Sequence, residues 1–282
     1  MTFDPEMALR REGDTETTPA VLAPAVRKYI GEGRFPQNTK IVLPGGDPNR
    51  EPDDWFHPST HPTMTARQLY YYLKEPKLWQ PEPWAYEGRM SVTVGTLMHS
   101  IIRMALISLG YWQIPKGDCP CCGRPYGPGP GQCDEPGVAD PVLKRRGHMD
   151  GVILTPQLGM TGYDLKTINH FSVSKIPDDP GSPEAKEWLI TKHPYYYGQM
   201  QEYMAMSGLR KVVMLFAGMG LPWHLKEIHV DYDPAYVVAL EAKYRLVRQC
   251  VKEGVPPDEL CCAPFSKEAA ACPAAPCMIK KL

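Results

Sequence analysis

Apolar residues recur with two different periods along the chain, and each change of period marks a new element. In "TARQLYYYLKEP" they fall at helical spacing, with Thr65 placed to cap a short helix and Pro76 to stop it. "SVTVGTLMHSIIRMALISLG", Ser91 to Gly110, is apolar around nearly its whole circumference. This predicts a buried helix closed by Gly110, with His99 inside it. "RRGHMDGVILTPQLGMTGYDLKT", Arg145 to Thr167, switches to a period near two, as expected for two strands joined by a polar turn. Beyond it, "IPDDPGSPEAKEWLITKHP" reads as a loop and a short helix, and "YYYGQMQEYMAMSGLR" as an amphipathic helix closed by Gly208. "KVVMLFAGM" is an apolar strand and "HLKEIHV" an alternating one. "PAYVVALEAKYRLVRQCVKEG" is a charged amphipathic helix running from Pro234 to Gly254.

The order helix, hairpin, helix, strand, strand, helix predicts an α/β fold with helices around a central mixed β-sheet. The flanks are different. Residues 1–60 have little periodicity beyond one short helix near "PAVRKYIGEG", and read as a loosely ordered N-terminal arm. Residues 61–255 form the expected core, with a Pro/Gly- and Cys-rich insertion at 112–140. Residues 256–282 form a Cys-rich tail without periodicity.

The hairpin carries charge where a core would want valine. Side chains alternate across a strand, so Asp164 and Lys166 share one face and Leu165 takes the other. Asp150 lies on the partner strand, and the hairpin brings it back beside Asp164. Two converging carboxylates make a hard oxygen site suited to Mg²⁺ or Mn²⁺. A lysine beside them can orient a water or stabilise charge building on a phosphate.

Composition narrows the choices. The formal charge of −1 excludes a global basic field, so a polyanion would need a local patch, Lys144 to Arg146 or Lys192 with His193. The N-terminal sequence has no secretory pattern, and no apolar run reaches the ~18 residues needed to span a bilayer. A soluble, cytoplasmic protein without a membrane partner is expected. Nine cysteines are many for such a protein, and their clustering favours metal ligation over disulfides. In "CPCCGRPYGPGPGQC", Cys119 and Cys122 form a C-x2-C-G knuckle at zinc spacing. Cys133 is the third ligand, with Cys121 as a substitute or a fourth.

Taken together, "GHMDGVI" followed by "GYDLKT" resembles the signature of the PD-(D/E)xK nucleases, specifically their RecB-like exonuclease branch. "GTLMH" upstream (Gly95 to His99) and "QMQEY" downstream (Gln199 to Tyr203) match that branch's further motifs in the same order, over roughly residues 65–255. The resemblance implies a restriction-endonuclease-like core and a DNA exonuclease. It implies that His99, Asp150, Asp164 and the Leu165 carbonyl bind the divalent metal, with Lys166 as the catalytic lysine. Gln199 and Tyr203, four apart and so on one helix face, would help hold the DNA and the lysine. Size and layout resemble phage-encoded recombination exonucleases, which implies work in recombination, repair or phage DNA processing in a bacterial host, with a recombination partner protein. Members of the branch also carry a [4Fe–4S] cluster, for which Cys262, Cys272 and Cys277 would supply three ligands. This chain departs from the pattern where Glu75 precedes Pro76, since no cysteine precedes Cys119. The fourth ligand would have to come from the insertion or from Cys250. Two rivals are a structure-specific endonuclease on the same core and a non-catalytic, zinc-organised DNA-binding recombination accessory protein. The second has no need of the full set of His99, Asp150, Asp164 and Lys166.

Overall fold

A computed structural model describes residues 19–33, 53–75, 86–127, 129, 131–220, 224–260, 262, 266 and 267. The chain forms α1 (Leu22–Gly31), α2 (Ala66–Lys74), α3 (Tyr86–Ser108), β1 (Trp112–Gln113), β2 (Gly137–Asp140), β3 (Arg145–His148), β4 (Gly151–Thr155) and β5 (Gly159–Asn169). It continues through α4 (His170–Val173), α5 (Pro183–Lys192), α6 (Pro194–Ser207), β6 (Lys211–Met219), β7 (Leu225–Asp231) and α7 (Pro234–Glu253). Five strands make one mixed sheet in the order β1-β4-β5-β6-β7. Only β5 and β6 run parallel, joined by the crossover through α4, α5 and α6. The expected α/β architecture, a central mixed sheet flanked by helices, is present.

Strand alternation sorts the core into two layers. Val212, Met214, Phe216, Ile228 and Val230 face α5 and α6, packing on Leu189, Met200 and Met204. Tyr163, Leu165, Val213, Leu215 and Ala217 face the other way, onto α1 and α3. Burying each such side chain stabilises the fold by roughly 1.5–3 kcal/mol. α2 and α7 close a third cluster around Phe56 and Tyr244, whose rings stack 4.1 Å apart. Thr65 heads α2 in a full capping box with Gln68, as its sequence position predicts. Within the first 60 residues, Leu22, Val26, Tyr29 and Phe56 are core residues.

Three expectations are corrected. The stretch from Arg145 to Thr167 contains three strands, not two: β3 pairs with β2 in a separate ribbon, and the hairpin proper is β4–β5. The break falls at Met149–Asp150, where the Met149 amide turns aside to the Pro136 carbonyl. Second, α3 is not buried all round. Met98, Ile102, Ala105 and Leu106 pack on the sheet, while Met90, Val92 and Ile107 are exposed. By length and composition alone Met90–Ser108 could cross a membrane, yet its inner face is this sheet contact. Third, α6 is not amphipathic: Tyr197 through Met204 are all buried, because α6 lies between the sheet and α7.

On β7 the alternating polar residues are also buried. Glu227 accepts from the amides of Val21, Leu22 and Ala23 at the start of α1, the last two at 2.7 Å. His229 Nε2 lies 3.0 Å from the same carboxylate. A buried acid at a helix N-terminus satisfies orphan donors and complements the helix dipole. Burial alone would raise the Glu227 pKa, but His229 and the amides of Ala23 and Val21 outweigh it and hold it below 4.5. A depressed carboxylate contributes stability above its unfolded pKa and loses it as pH falls through its folded one. Glu227→Gln should therefore cost about 2 kcal/mol in urea unfolding at pH 7. The gap from wild type should narrow in acid; an unchanged midpoint at pH 7 would rule out the anchoring role.

Candidate active site

The site forms where the β4–β5 ladder ends. Gly151 pairs with Tyr163, and beyond that pair β5 has no strand partner on this edge among the described residues. The open Leu165 amide is taken by Asp150, whose Oδ2 accepts from it at 2.7 Å. One residue before β4, Asp150 thus lies against β5 beside Asp164. Asp164 and Lys166 project from one face of β5 as expected, with Lys166 Nζ 2.8 Å from Asp164 Oδ1, while Leu165 packs on the opposite core.

His99 arrives from α3. A Cβ on Gly95 would stand 3.1 Å from Thr167 Oγ1, so the glycine lets the helix lie close against β5. One turn on, His99 Nδ1 reaches 3.2 Å from Asp150 Oδ2, and the ring lies close to the Leu165 backbone. His99, Asp150, Asp164, the Leu165 backbone and Lys166 therefore converge.

Burial sets the electrostatics. It pushes Asp150 up, and raises Asp164 to about 6 against the attraction of Lys166. It would lower Lys166, but Asp164 and Asp150 more than compensate and hold the ammonium above its usual pKa. Burial also pulls His99 down to about 4, leaving a neutral imidazole able to act as a ligand.

Gln199 and Tyr203 share a face of α6 as expected. Gln199 Nε2 donates to the Tyr203 hydroxyl (3.0 Å), which donates to the His148 carbonyl (2.6 Å). They brace β3 just before Asp150. The ring over Lys166 is instead Tyr196, 4.9 Å from its ammonium. Spacing had not singled out Tyr196, hidden in the run "YYY". Arg103 and Glu135 were also missed. Arg103 lies one turn beyond His99, stands over Trp112, and pairs with Asp134 and Glu135 at 2.5 and 3.6 Å. Burial, with the charge of Asp150 adding to it, raises Glu135 to about 7. The i,i+4 relation of His99 to Arg103 was a signal available in the sequence.

The expected basic patch is largely used internally. Arg145 is buried between Asp140 (3.0 Å) and Glu241 (2.6 Å). Arg146 pairs with Asp53 at 2.7 Å beneath Trp55, and Lys144 with Asp54. Only Arg145 is buried, as a structural charge; Arg146 is half-buried and Lys144 exposed, each with an acid partner that offsets part of its charge. Lys192 is exposed, while His193 stacks on Tyr196.

In the insertion, Cys119, Cys122 and Cys133 converge as expected. The fourth member is His148, and the four ligand atoms lie within 4.8 Å of one another. Cys121 is not part of the set; its thiol donates to the carbonyls of Val138 and Gly147, each at 3.2 Å. Among the described residues this is the one set of His, Cys and acid ligands so closely grouped. Cys262 is half-buried; Cys272 and Cys277, needed for the iron–sulfur set, lie outside the described residues.

No family model matches the chain. No curated protein matches it. Among solved structures, an alkaline exonuclease from Laribacter hongkongensis is similar at 15% identity and a TM-score of 0.43, over 71% of this chain and 89% of that one. The same exonuclease in complex with dAMP gives 14% identity and a TM-score of 0.45, over the same shares.

The raised carboxylate has a linkage consequence. Asp164 holds its proton up to about pH 6 in the folded protein, against 3.8 for the ordinary group. Between those values the folded state binds more protons, so this group's contribution to stability falls as pH rises. A divalent cation needs the ionised form, so binding must displace that proton below pH 6. If Asp164 ligates Mg²⁺, the thermal shift on adding Mg²⁺ should be largest above pH 6 and fade by pH 5. It should vanish in Asp164→Asn; a shift that ignored pH and variant alike would place the cation elsewhere.

Proposed function

We propose that the protein is a divalent-metal-dependent nuclease that hydrolyses phosphodiester bonds in DNA. The observation that carries this reading is the convergence of His99, Asp150, Asp164, the Leu165 backbone and Lys166 at the open edge of β5. An ordinary core would not bury Asp164 and half-bury Asp150 and Lys166 against it without a use for them.

The donor set fits Mg²⁺ or Mn²⁺: two carboxylates and a carbonyl are hard oxygens, and the neutral His99 adds a nitrogen suited to Mn²⁺. These ligands are less tightly grouped than the Cys/His set. Mg²⁺ tolerates this, since it keeps several waters and needs only one or two carboxylates. When bound, the metal supplies Lewis acidity at the phosphate and lowers the pKa of a coordinated water. The chain's own groups do the rest. Asp150, fixed by the Leu165 amide, and Asp164 hold the acid pair in register. Lys166, kept protonated by both acids and seated against Tyr196, orients the attacking water and offsets negative charge building on the phosphate oxygens. A cleft of about 500 Å³ lined by Cys121, Cys122, Arg146, His148, Gln199 and Tyr203 borders the Cys/His cluster; His99, Asp150, Asp164 and Lys166 are not among its lining residues.

The finer reading is an exonuclease in recombination, repair or phage DNA processing; the four motifs support it by their order and spacing. The test is digestion of end-labelled single- and double-stranded DNA, and of covalently closed circles, with Mg²⁺ or Mn²⁺. Wild type should degrade linear DNA and spare circles. Lys166→Ala should lose at least roughly 10²-fold in rate, and Asp164→Ala should be inactive. If wild type gives no metal-dependent cleavage, or both variants match it, the nuclease reading is wrong. Cleaved circles would instead make it an endonuclease.

A further inference from the structure

The Cys119, Cys122, Cys133 and His148 cluster has the makings of a second metal site of a different kind. A tetrahedral Zn²⁺ with bonds near 2.3 Å to sulfur and 2.0–2.1 Å to nitrogen sets its ligand atoms roughly 3.5–3.8 Å apart. Here all four lie within 4.8 Å of one another, and Cys119 Sγ is 3.3 Å from His148 Nε2. The surrounding backbone is shaped for ligation. The Gly123 amide closes on the Cys119 carbonyl at 2.8 Å, and the Cys121 amide points at Cys119 Sγ at 3.4 Å. Gly123 turns at φ 69°, and Tyr126 and Cys133 bridge the two halves of the loop. A Cβ on Gly137 would stand 2.3 Å from Cys119 Sγ, so the ribbon strand β2 is cut back to admit the sulfur. Cys119 and Cys133 are buried in a segment with few other apolar residues, where thiols alone would give little cohesion.

His148 joins this cluster to the acid site. It ends β3, and Asp150 follows two residues later. Its carbonyl takes the Tyr203 hydroxyl, and the next amide, of Met149, goes to Pro136. Its ring faces the thiols. Backbone and side chain are thus held from three sides immediately before Asp150.

We propose that Cys119, Cys122, Cys133 and His148 form a closed tetrahedral Zn²⁺ site that fixes the end of β3 and so positions Asp150. Three thiolates and an imidazole form a soft, complete set that leaves no open position, which marks a structural site. Binding releases the three thiol protons. A [4Fe–4S] core interposes four irons between its cysteines, so sulfurs this close exclude it here. The Zn²⁺ assignment stands on the cluster alone, whereas the positioning of Asp150 rests on the proposed nuclease site. His148 is a positioning residue.

The test is elemental analysis of the full-length protein, with Co²⁺ substituted for spectroscopy. Wild type should hold about one Zn²⁺ per chain, beyond any bound to the C-terminal cysteines in a Cys262→Ser background. Cys122→Ser and Cys133→Ser should each lose it. Cys121→Ser should keep it, and His148→Cys should keep it with stronger sulfur-to-Co²⁺ charge-transfer bands. Absence of Zn²⁺, iron in its place, or loss in Cys121→Ser but not in Cys122→Ser would overturn the site. For the positioning role, Mn²⁺ affinity is measured in His148→Ala and His148→Cys beside far-ultraviolet circular dichroism. A fall of about tenfold or more in the alanine variant, restored by cysteine, is expected. If His148→Ala does not fold, wild type stripped of Zn²⁺ at unchanged ellipticity serves in its place. Unaltered Mn²⁺ affinity without Zn²⁺ would overturn the positioning role. A protein that holds Zn²⁺ but never cleaves DNA would sink the nuclease reading and leave the Zn²⁺ site intact.

Discussion

The hydrogen bond from the Leu165 amide to the Asp150 carboxylate closes a gap that the sheet itself leaves open. β4 stops at Gly151, while β5 continues through Asn169 with β6 on its other side. An amide left unpaired at a buried strand costs about 1–3 kcal/mol, and here an acid takes the place of the missing strand. That choice fixes Asp150 beside Asp164 and within reach of His99. It also dictates where α3 must run, and Gly95 is what allows the helix to come so near.

The charges gathered there do not add up to a stable core. Two acids are raised by burial, a lysine is held protonated between them, and Arg103 and Glu135 stand at the margin. Replacing such a set by apolar residues of similar volume is often neutral or stabilising. Its retention at the open edge of β5 is therefore more economically explained by chemistry than by folding. Glu227 offers the contrast within the same molecule. It too is buried, but three helix amides and His229 satisfy it, its pKa moves down rather than up, and it works as a structural anchor.

What could be read in the sequence was whatever local periodicity and short-range chemistry control. β6, α7 and the capped α2 emerge where their patterns put them, as does the shared face of Asp164 and Lys166. The misreadings share one cause, which is tertiary choice of partner. Residues 145–148 alternate as hairpin strands do, but nothing local says that their partner is β2. The apolar circumference of α3 does not reveal that only one side meets the sheet. Lys144, Arg145 and Arg146 look like a basic patch until Asp54, Glu241 and Asp53 arrive from distant segments. The C-x2-C-G knuckle gave two ligands and the loop a third. The fourth, His148, belongs to another element, so Cys121 looked the better candidate by proximity alone.

The tripeptide His148-Met149-Asp150 then has a particular logic if both metal readings hold. Soft thiolates and imidazole select Zn²⁺, and hard carboxylates select Mg²⁺, so neither site competes for the other's ion. Two residues of chain span at most roughly 7 Å, close enough for one site to bear on the other's geometry. Met149 between them is buried at 1% exposure, a plug of packed core rather than a hinge. A rigid link of this kind transmits position and little else. The insertion therefore need not touch the substrate to matter for catalysis: it suffices that it holds β3 still while Asp150 does its work.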